Sequence, residues 1–409
     1  MSNVPKLRFK ADDGSEFAEW EQRKFGEVFD RITTKNKENN QNVLTISAQQ
    51  GLVNQEDYFK KSVAAQDVTG YYLLHKDDFA YNKSYSKGYP LGAIKRLTRY
   101  EKGVVSTLYI CFRAKNCVTA FAEQFFESGG LNREIHKIAQ EGARNHGLLN
   151  MSVVEFFKDI ELALPRRKEQ QKIAAFLTAV DTKIEQLTQK EVLLKQYKKG
   201  MMQKIFSQEI RFKANDGSEF PEWEEKRLAD VLHEHKSRSK GSEEVFSVSV
   251  HKGLVNQVEH LGRSFAASDT SNYNLVKPND IVYTKSPTGD FPYGIIKQSR
   301  VDKDVLVSPL YGVFTPESVG LGYMLHVYFE SEINTHNYLH SIIQKGAKNT
   351  INITNTTFTS KSLKLPTSRD EQNKIGKLLS TIDTKIDQIA HQLDDAKTFK
   401  KGLLQQMFV

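Results

Sequence analysis

The sequence predicts an α+β fold in which two strand-rich domains, related by a pseudo-twofold axis, are separated by two long antiparallel helices forming a coiled coil. Three observations carry this prediction. The chain repeats itself at a spacing of about 202 residues, as Gly51-Leu52-Val53-Asn54-Gln55 and Gly253-Leu254-Val255-Asn256-Gln257 show. Each repeat contains short apolar runs broken by turn residues, the signature of strands. Each repeat then ends in a sustained heptad of apolar residues, which needs another helix as its partner.

The repeat opens on an arm. Leu7-Arg8-Phe9-Lys10-Ala11-Asp12-Asp13-Gly14-Ser15-Glu16-Phe17 through Trp20 returns as Ile210-Arg211-Phe212-Lys213-Ala214-Asn215-Asp216-Gly217-Ser218-Glu219-Phe220 through Trp223. In the second strand-rich domain, Asp280 to Lys285 precedes the turn Ser286-Pro287-Thr288-Gly289-Asp290, and Tyr293 to Lys297 resumes. Asp78 to Lys83, Ser84 to Gly88 and Leu91 to Lys95 match in the first. Val105 to Tyr109 and Val307 to Tyr311 read as one further shared strand, and helical periodicity runs over Ala120 to Ala139 and Met324 to Ile343.

The long helices begin after Pro165 and Pro366, residues that disfavour helix immediately before them. Ser368 and Glu371 form a capping-box pattern at the second start. One seam is Ile173, Leu177, Val180, Ile184, Leu187, Leu194, Met201 and Ile205, interrupted at Glu191 and Lys198. The other is Ile375, Leu379, Ile382, Ile386, Ile389, Leu393, Ala396, Leu403 and Met407, interrupted at Lys400. Each helix of about 40 residues spans roughly 60 Å. Pairing them with one another places the domains at opposite ends; pairing between separate chains is the alternative. The expected boundaries are residues 1–164 for the arm and first domain, 165–207 for the central helix, 208–365 for the second arm and domain, and 366–409 for the distal helix.

At 409 residues the chain exceeds one ordinary core, and its net charge of +8 suits a polyanionic partner. Cys111 and Cys117 lack any metal-ligand pattern and read as buried thiols of a reducing compartment. The N-terminus shows no apolar leader and no run approaches a membrane span, so a soluble cytoplasmic protein is expected.

Enzyme signatures are missing. No Gly-x-Gly-x-x-Gly follows a strand, and Gly88-Tyr89-Pro90-Leu91-Gly92 lacks the Lys-Ser/Thr of a phosphate loop. Ser286-Pro287-Thr288-Gly289 lacks the second proline and the aromatic of an adenine-methyltransferase tetrad. There is no Pro-Asp dipeptide, and His233 and His235 beside Glu234 read as a solvated alternation.

Leu164-Pro165 followed by Glu169-Gln170-Gln171-Lys172-Ile173, then Asp181-Thr182-Lys183-Ile184, recurs as Leu365-Pro366, Glu371-Gln372-Asn373-Lys374-Ile375 and Asp383-Thr384-Lys385-Ile386. In this arrangement the chain resembles, over essentially its whole length, the specificity subunit of type I restriction-modification systems. One departure is the extra residue between Pro366 and Glu371, so the two helix entries need not superimpose. The resemblance implies two target-recognition domains, each reading one half of a split asymmetric DNA sequence, and helices that set the spacer. It implies a subunit without catalytic activity and with no cofactor of its own. The expected partners are double-stranded DNA, two modification subunits that methylate adenine with S-adenosylmethionine, and through them restriction subunits that use ATP and Mg²⁺. The rival reading is a coiled-coil DNA-binding protein without enzyme partners, a repressor or nucleoid organiser.

Base readout needs Arg, Lys, Asn or Gln, while Ser, Thr and further Lys fix phosphates. The candidates in the first domain are Lys83, Ser84, Tyr85, Lys87, Lys95, Arg96 and Arg99, with Arg144 and Asn145 in a later loop. Those in the second are Lys285, Ser286, Thr288, Lys297 and Arg300, with Lys348 and Asn349. The matched pairs Lys83/Lys285, Ser84/Ser286 and Lys95/Lys297 suit sequence-blind phosphate. The differing pairs Tyr85/Pro287 and Lys87/Gly289 suit base reading. Lys236, Arg238 and Lys240 form a further basic stretch. Apolar helix positions outside the seam, Phe176, Val192, Leu193, Leu378, Phe399 and Leu404, are the candidates for a modification subunit.

Overall fold

A computed structural model of the chain describes residues 4–61, 64–139, 149–239, 241–262, 269–289, 291–345 and 351–408. It divides into two compact units, residues 1–188 with 391–409, and residues 189–390. The boundaries therefore cut through both long helices, Arg167–Phe206 and Arg369–Met407, which share themselves between the units instead of forming helical domains of their own.

The centre of unit 1 is a four-stranded antiparallel sheet of β1 (Phe29–Arg31), β2 (Phe79–Asn82), β3 (Ala93–Arg96) and β4 (Ile110–Ala114) in the order β1-β4-β2-β3. Helices α1 (Thr119–Glu127) and α2 (Val153–Lys158) follow. Unit 2 repeats this with β5 (Leu232–Glu234), β6 (Ile281–Tyr283), β7 (Ile296–Gln298) and β8 (Gly312–Pro316) in the order β5-β8-β6-β7, then α3 (Val319–Tyr328) and α4 (Asn355–Phe358). The register is the same in both: Tyr81 faces Ile110 and Ile94, as Tyr283 faces Gly312 and Ile296. Phe25, Phe29, Phe79, Phe112, Phe126 and Phe156 fill the first core through edge and stacked ring contacts. Tyr283, Phe314, Phe329, Tyr338 and Phe358 do so in the second.

The expected shared strand stops early. Its strands are Lys102–Val105 and Val305–Val307, after which Ser106 and Ser308 turn the chain. Each serine hydroxyl accepts the amide of the residue two later, and each serine carbonyl accepts that of Tyr109 or Tyr311. The helical stretches also break, into Thr119–Glu127 and Asn132–Ile138 in unit 1 and into Val319–Tyr328 and Glu332–Leu339 in unit 2. The second break carries a new cap, Ser331 accepting the Asn334 amide.

Within each unit the two helix segments run antiparallel. In unit 1 Asp181 pairs with Lys400, and Leu177 and Ile173 share the core with Leu403 and Met407. In unit 2 Lys198 pairs with Asp383 at 2.7 Å, and Ile205 shares the core with Ile375 and Leu379. The lysines that interrupt the two heptad seams are thus the partners of the aspartates in the two Asp-Thr-Lys-Ile repeats. A polar pair in an apolar seam fixes register, because sliding either helix leaves a charge without its partner.

The other repeated motifs have equally concrete uses. Gln170 donates to the Pro165 carbonyl at 2.8 Å and accepts the Val118 amide, and Gln372 donates likewise to Pro366. Arg8 grips the buried Glu169 carboxylate at 2.7 and 2.8 Å, while Arg211 grips Glu371, the residue expected to close a capping box, at 3.2 to 3.4 Å. The indole of Trp20 also donates to Glu169, whereas that of Trp223 is buried with no hydrogen-bond partner among the described residues. The looser second clasp coincides with the extra residue at that helix entry. Each arm docks on a helix end in the same way: Leu7 donates to the Gln406 carbonyl, and Ile210 to that of Lys204.

Candidate nucleic-acid interface

The residues singled out at the strand ends fall into three groups. Lys83, Ser84, Tyr85 and Lys87 follow β2, with Tyr85 64% exposed and Lys87 on the surface. Lys285, Ser286 and Thr288 follow β6, the latter two exposed. These two loops are held against their own strands by Gly92 and Gly294. Both have left-handed φ, of 81° and 90°, and a Cβ on either would stand 3.1 Å or less from backbone of the loop entry. Lys285 is half-buried with φ of 55°. Burial lowers its ammonium below the usual range, and the Glu234 carboxylate works against that shift. Arg99 is exposed in the loop after β3.

A second group is tied up inside its own unit. The structure corrects the reading of Lys95 and Lys297 as phosphate contacts, since only 8% and 4% of each is exposed. Lys95 is bonded to Glu127 and, at 3.0 Å, to the Tyr89 hydroxyl; Lys297 is bonded to Glu330 at 2.8 Å. The strand alternation turns both lysines toward the helix that covers the sheet, where a charge persists only with a partner. Glu127 and Glu330 recur across the repeat just as the lysines do, and that matched opposite charge was the available signal. Arg96 is likewise spent on Asp77 and on Glu123 at 2.9 Å, and Arg300 pairs with Asp387 at 3.1 Å. Arg238 bonds Asn274 and, at 2.9 Å, the Asn272 carbonyl. The third group, Arg144, Asn145, Lys240, Lys348 and Asn349, lies outside the described residues.

Other residues gather at the same sheet end. Leu108 and Leu310, presented by the two serine turns, are 68% and 73% exposed. Arg31 and Glu234 end β1 and β5 and are exposed. In the sequence they lie about 50 residues from Lys83 and Lys285, a distance only the sheet register closes.

The helix candidates also divide. Val192, Leu193 and Phe399 are 49%, 62% and 56% exposed, and Tyr197, one turn beyond Leu193, is 52% exposed. Phe176 is covered by the arm residue Phe9, whose ring meets it edge-on at 5.5 Å, so it is not open for a partner as expected. Leu378 and Leu404 are half-buried against the cores of their units.

Nothing in this arrangement makes a nucleophile of the thiols: burial pushes Cys111 and Cys117 up to about 12. His235 is engaged with the buried Asp280 at 2.8 Å. Among the described residues no group of three His, Cys, Asp or Glu side chains is placed to hold a metal, and no helix is long and apolar enough to cross a membrane.

Residues 18–196 match the family model of the type I restriction modification DNA specificity domain. Over that segment the chain is similar to type I restriction-modification specificity domains. A solved S subunit of a type I system from M. genitalium has the same fold, with a TM-score of 0.61 at 15% identity over 99% of both chains. The HsdS subunit from Thermoanaerobacter tengcongensis is matched over 95% of this chain and 96% of that one, at 14% identity and a TM-score of 0.43. No curated protein is matched. Beyond the matched segment, the second half of the chain repeats the central-sheet order of the first and, among the described residues, adds the short strand pair Gln344–Lys345 and Ile351–Asn352.

Proposed function

We propose that the chain is the DNA-reading subunit of a type I restriction-modification complex and carries no catalysis itself. Each unit reads one half of a bipartite, asymmetric target, and the long helices set the unspecified spacer between the halves. The observation that carries this reading is the duplication with divergence. Two units share sheet order, register and helix motifs yet differ in the loops and strand ends that present side chains outward. A single target half would need only one unit, and a palindrome would need no divergence.

The helices also dock two modification subunits, which bring S-adenosylmethionine, and through these the restriction subunits with ATP and Mg²⁺. Tyr197 and Phe399 support this, being exposed aromatics at matching positions of the two helices, one in each unit. Aromatic residues are favoured anchors at protein interfaces. The test is co-expression of the full chain with an adenine methyltransferase encoded beside it, followed by co-purification and methylome sequencing. A two-part methylated motif with an unspecified spacer is expected. A chain that binds DNA but retains no methyltransferase and yields no methylated motif would favour the repressor or nucleoid reading.

A further inference from the structure

The ends of the two central sheets carry matched residues, two of them constant and two different. In unit 1, Arg31, Lys83, Leu108 and Val153 line one recess of about 140 Å³. The register explains their meeting. Arg31 lies opposite Phe112 and Tyr81 opposite Ile110, so β1 and β2 run out on the edge where the chain enters β4. Glu234, Lys285, Leu310 and Asn355 occupy the corresponding places in unit 2, where Glu234 lies opposite Phe314 and Tyr283 opposite Gly312. These too converge. Asn355 Nδ2 donates to Glu234 Oε1 at 2.9 Å, and Asn355 Oδ1 lies 2.7 Å from where a Cβ on Gly312 would stand.

The constants are the lysine and the leucine. A single exposed leucine is ordinary. Two of them, held out by the same hydrogen-bonded turn although Thr107 in one is replaced by Pro309 in the other, indicate a contact surface retained while the sequence around it changed. The differences are Arg31 against Glu234 and Val153 against Asn355. An exposed carboxylate on a surface that meets DNA is repelled by phosphate, and the lone pairs that Asn355 leaves open suit a donor on a base edge. The arginine fork at the matching place fits the O6 and N7 acceptors of guanine, and a carboxylate fits an exocyclic amino group.

Resting on the reading of each unit as reader of one half-site, we propose that this sheet end is where base identity is discriminated. Arg31 reads a guanine in one half-site. Glu234, braced by Asn355, reads an amino-bearing base, cytosine or adenine, at the corresponding position of the other. Lys83 and Lys285 lie beside them on the phosphate backbone, and Leu108 and Leu310 supply the apolar contact.

The experiment is selection of randomised duplex DNA by the purified full chain, followed by sequencing. The wild-type chain is expected to enrich two separated half-sites. Arg31→Ala should lose the guanine at one position of one half, with discrimination there falling about ten-fold or more, and leave the other half intact. Glu234→Ala should do the reverse. Arg31→Lys and Glu234→Gln, which disturb the surface least, should show the same half-specific losses, since lysine lacks the fork and glutamine the charge. Unchanged half-sites in all four variants, each with the wild-type unfolding curve, overturn the sheet-end assignment while leaving the units as DNA readers. A wild-type chain that enriches no sequence overturns the DNA-reading function itself, and this assignment with it.

Discussion

The two units hold their helix segments with the same polar pair but embed it differently. In unit 1, Lys400 meets Asp181, 38% of whose side chain is exposed, and Gln124 completes the bond at 2.7 Å. In unit 2, Lys198 lies between two carboxylates, Asp383 at 2.7 Å and Glu330 at 2.6 Å. Tyr323 also donates to Asp383, and Lys297 and His326 face Glu330. Thus a single ion pair in one unit corresponds to a network of charges in the other. Duplication preserves the pair that sets helix register, while each domain is free to change what surrounds it.

The comparison is broken most severely by removing the lysines. Lys198→Ala leaves the largely buried Asp383 carboxylate without its ion pair, while Glu330 keeps Lys297, and should cost unit 2 about 3 kcal/mol, since removing one partner of a buried pair is expensive. Lys400→Ala, at a partly solvated bridge, should cost unit 1 about 1 kcal/mol. The chain has two tryptophans, Trp20 in unit 1 and Trp223 in unit 2, so denaturant unfolding followed in Trp20→Phe and Trp223→Phe backgrounds reports each unit separately. Equal losses in the two units would remove the distinction.

Acid should separate the units without any mutation at the network. Burial lowers His326 from 6.5 to about 3, so between those values the unfolded imidazole takes up a proton that the folded one does not. Its contribution is therefore lost as pH falls from about 6.5 toward 3. Burial pushes the Glu330 carboxyl up, but His326, Lys297 and Lys198 outweigh it and hold it at about 2. That stability is present above 4.5 and lost as pH falls toward 2. In unit 1 the residue at the position of His326 is Glu123, which burial raises, so acid relieves a cost there. Single-tryptophan fluorescence during acid titration should show unit 2 unfolding at the higher pH; simultaneous unfolding, or unit 1 first, would contradict this.

The smallest effects belong to the loops after β2 and β6. Lys285→Ala should weaken binding to all duplexes and lower the salt dependence by about one phosphate contact, and Lys83→Ala should do the same. Titrations against several DNA sequences at two salt concentrations would measure it. A loss confined to one sequence would mark either lysine as a base reader.

Much of the frame was legible because its signals are local or repeated. The heptads, the prolines before them and the copied arm required only comparison of the chain with itself. The seam interruptions at Lys198 and Lys400 could be seen but not explained, since their aspartates lie about 200 residues away on the other helix. Lys95 and Lys297 differ for another reason: a lysine in a strand reads as exposed until Glu127 at the end of α1, or Glu330 just after α3, is laid over it. Arg31 and Glu234 were missed because neither sits in a polar loop, and only strand pairing brings them beside Lys83 and Lys285. Phe176 looked free because Phe9, its cover, belongs to an arm about 165 residues earlier in the chain.

The central claim, that the two units read separate halves of one target, is tested most directly by exchanging residues 20–160 for the same segment of another specificity subunit and sequencing the methylome of cells that also carry the modification subunit. The account predicts a motif changed in one half only, with the other half and the spacer length retained. A motif left unchanged, or altered in both halves, would contradict it.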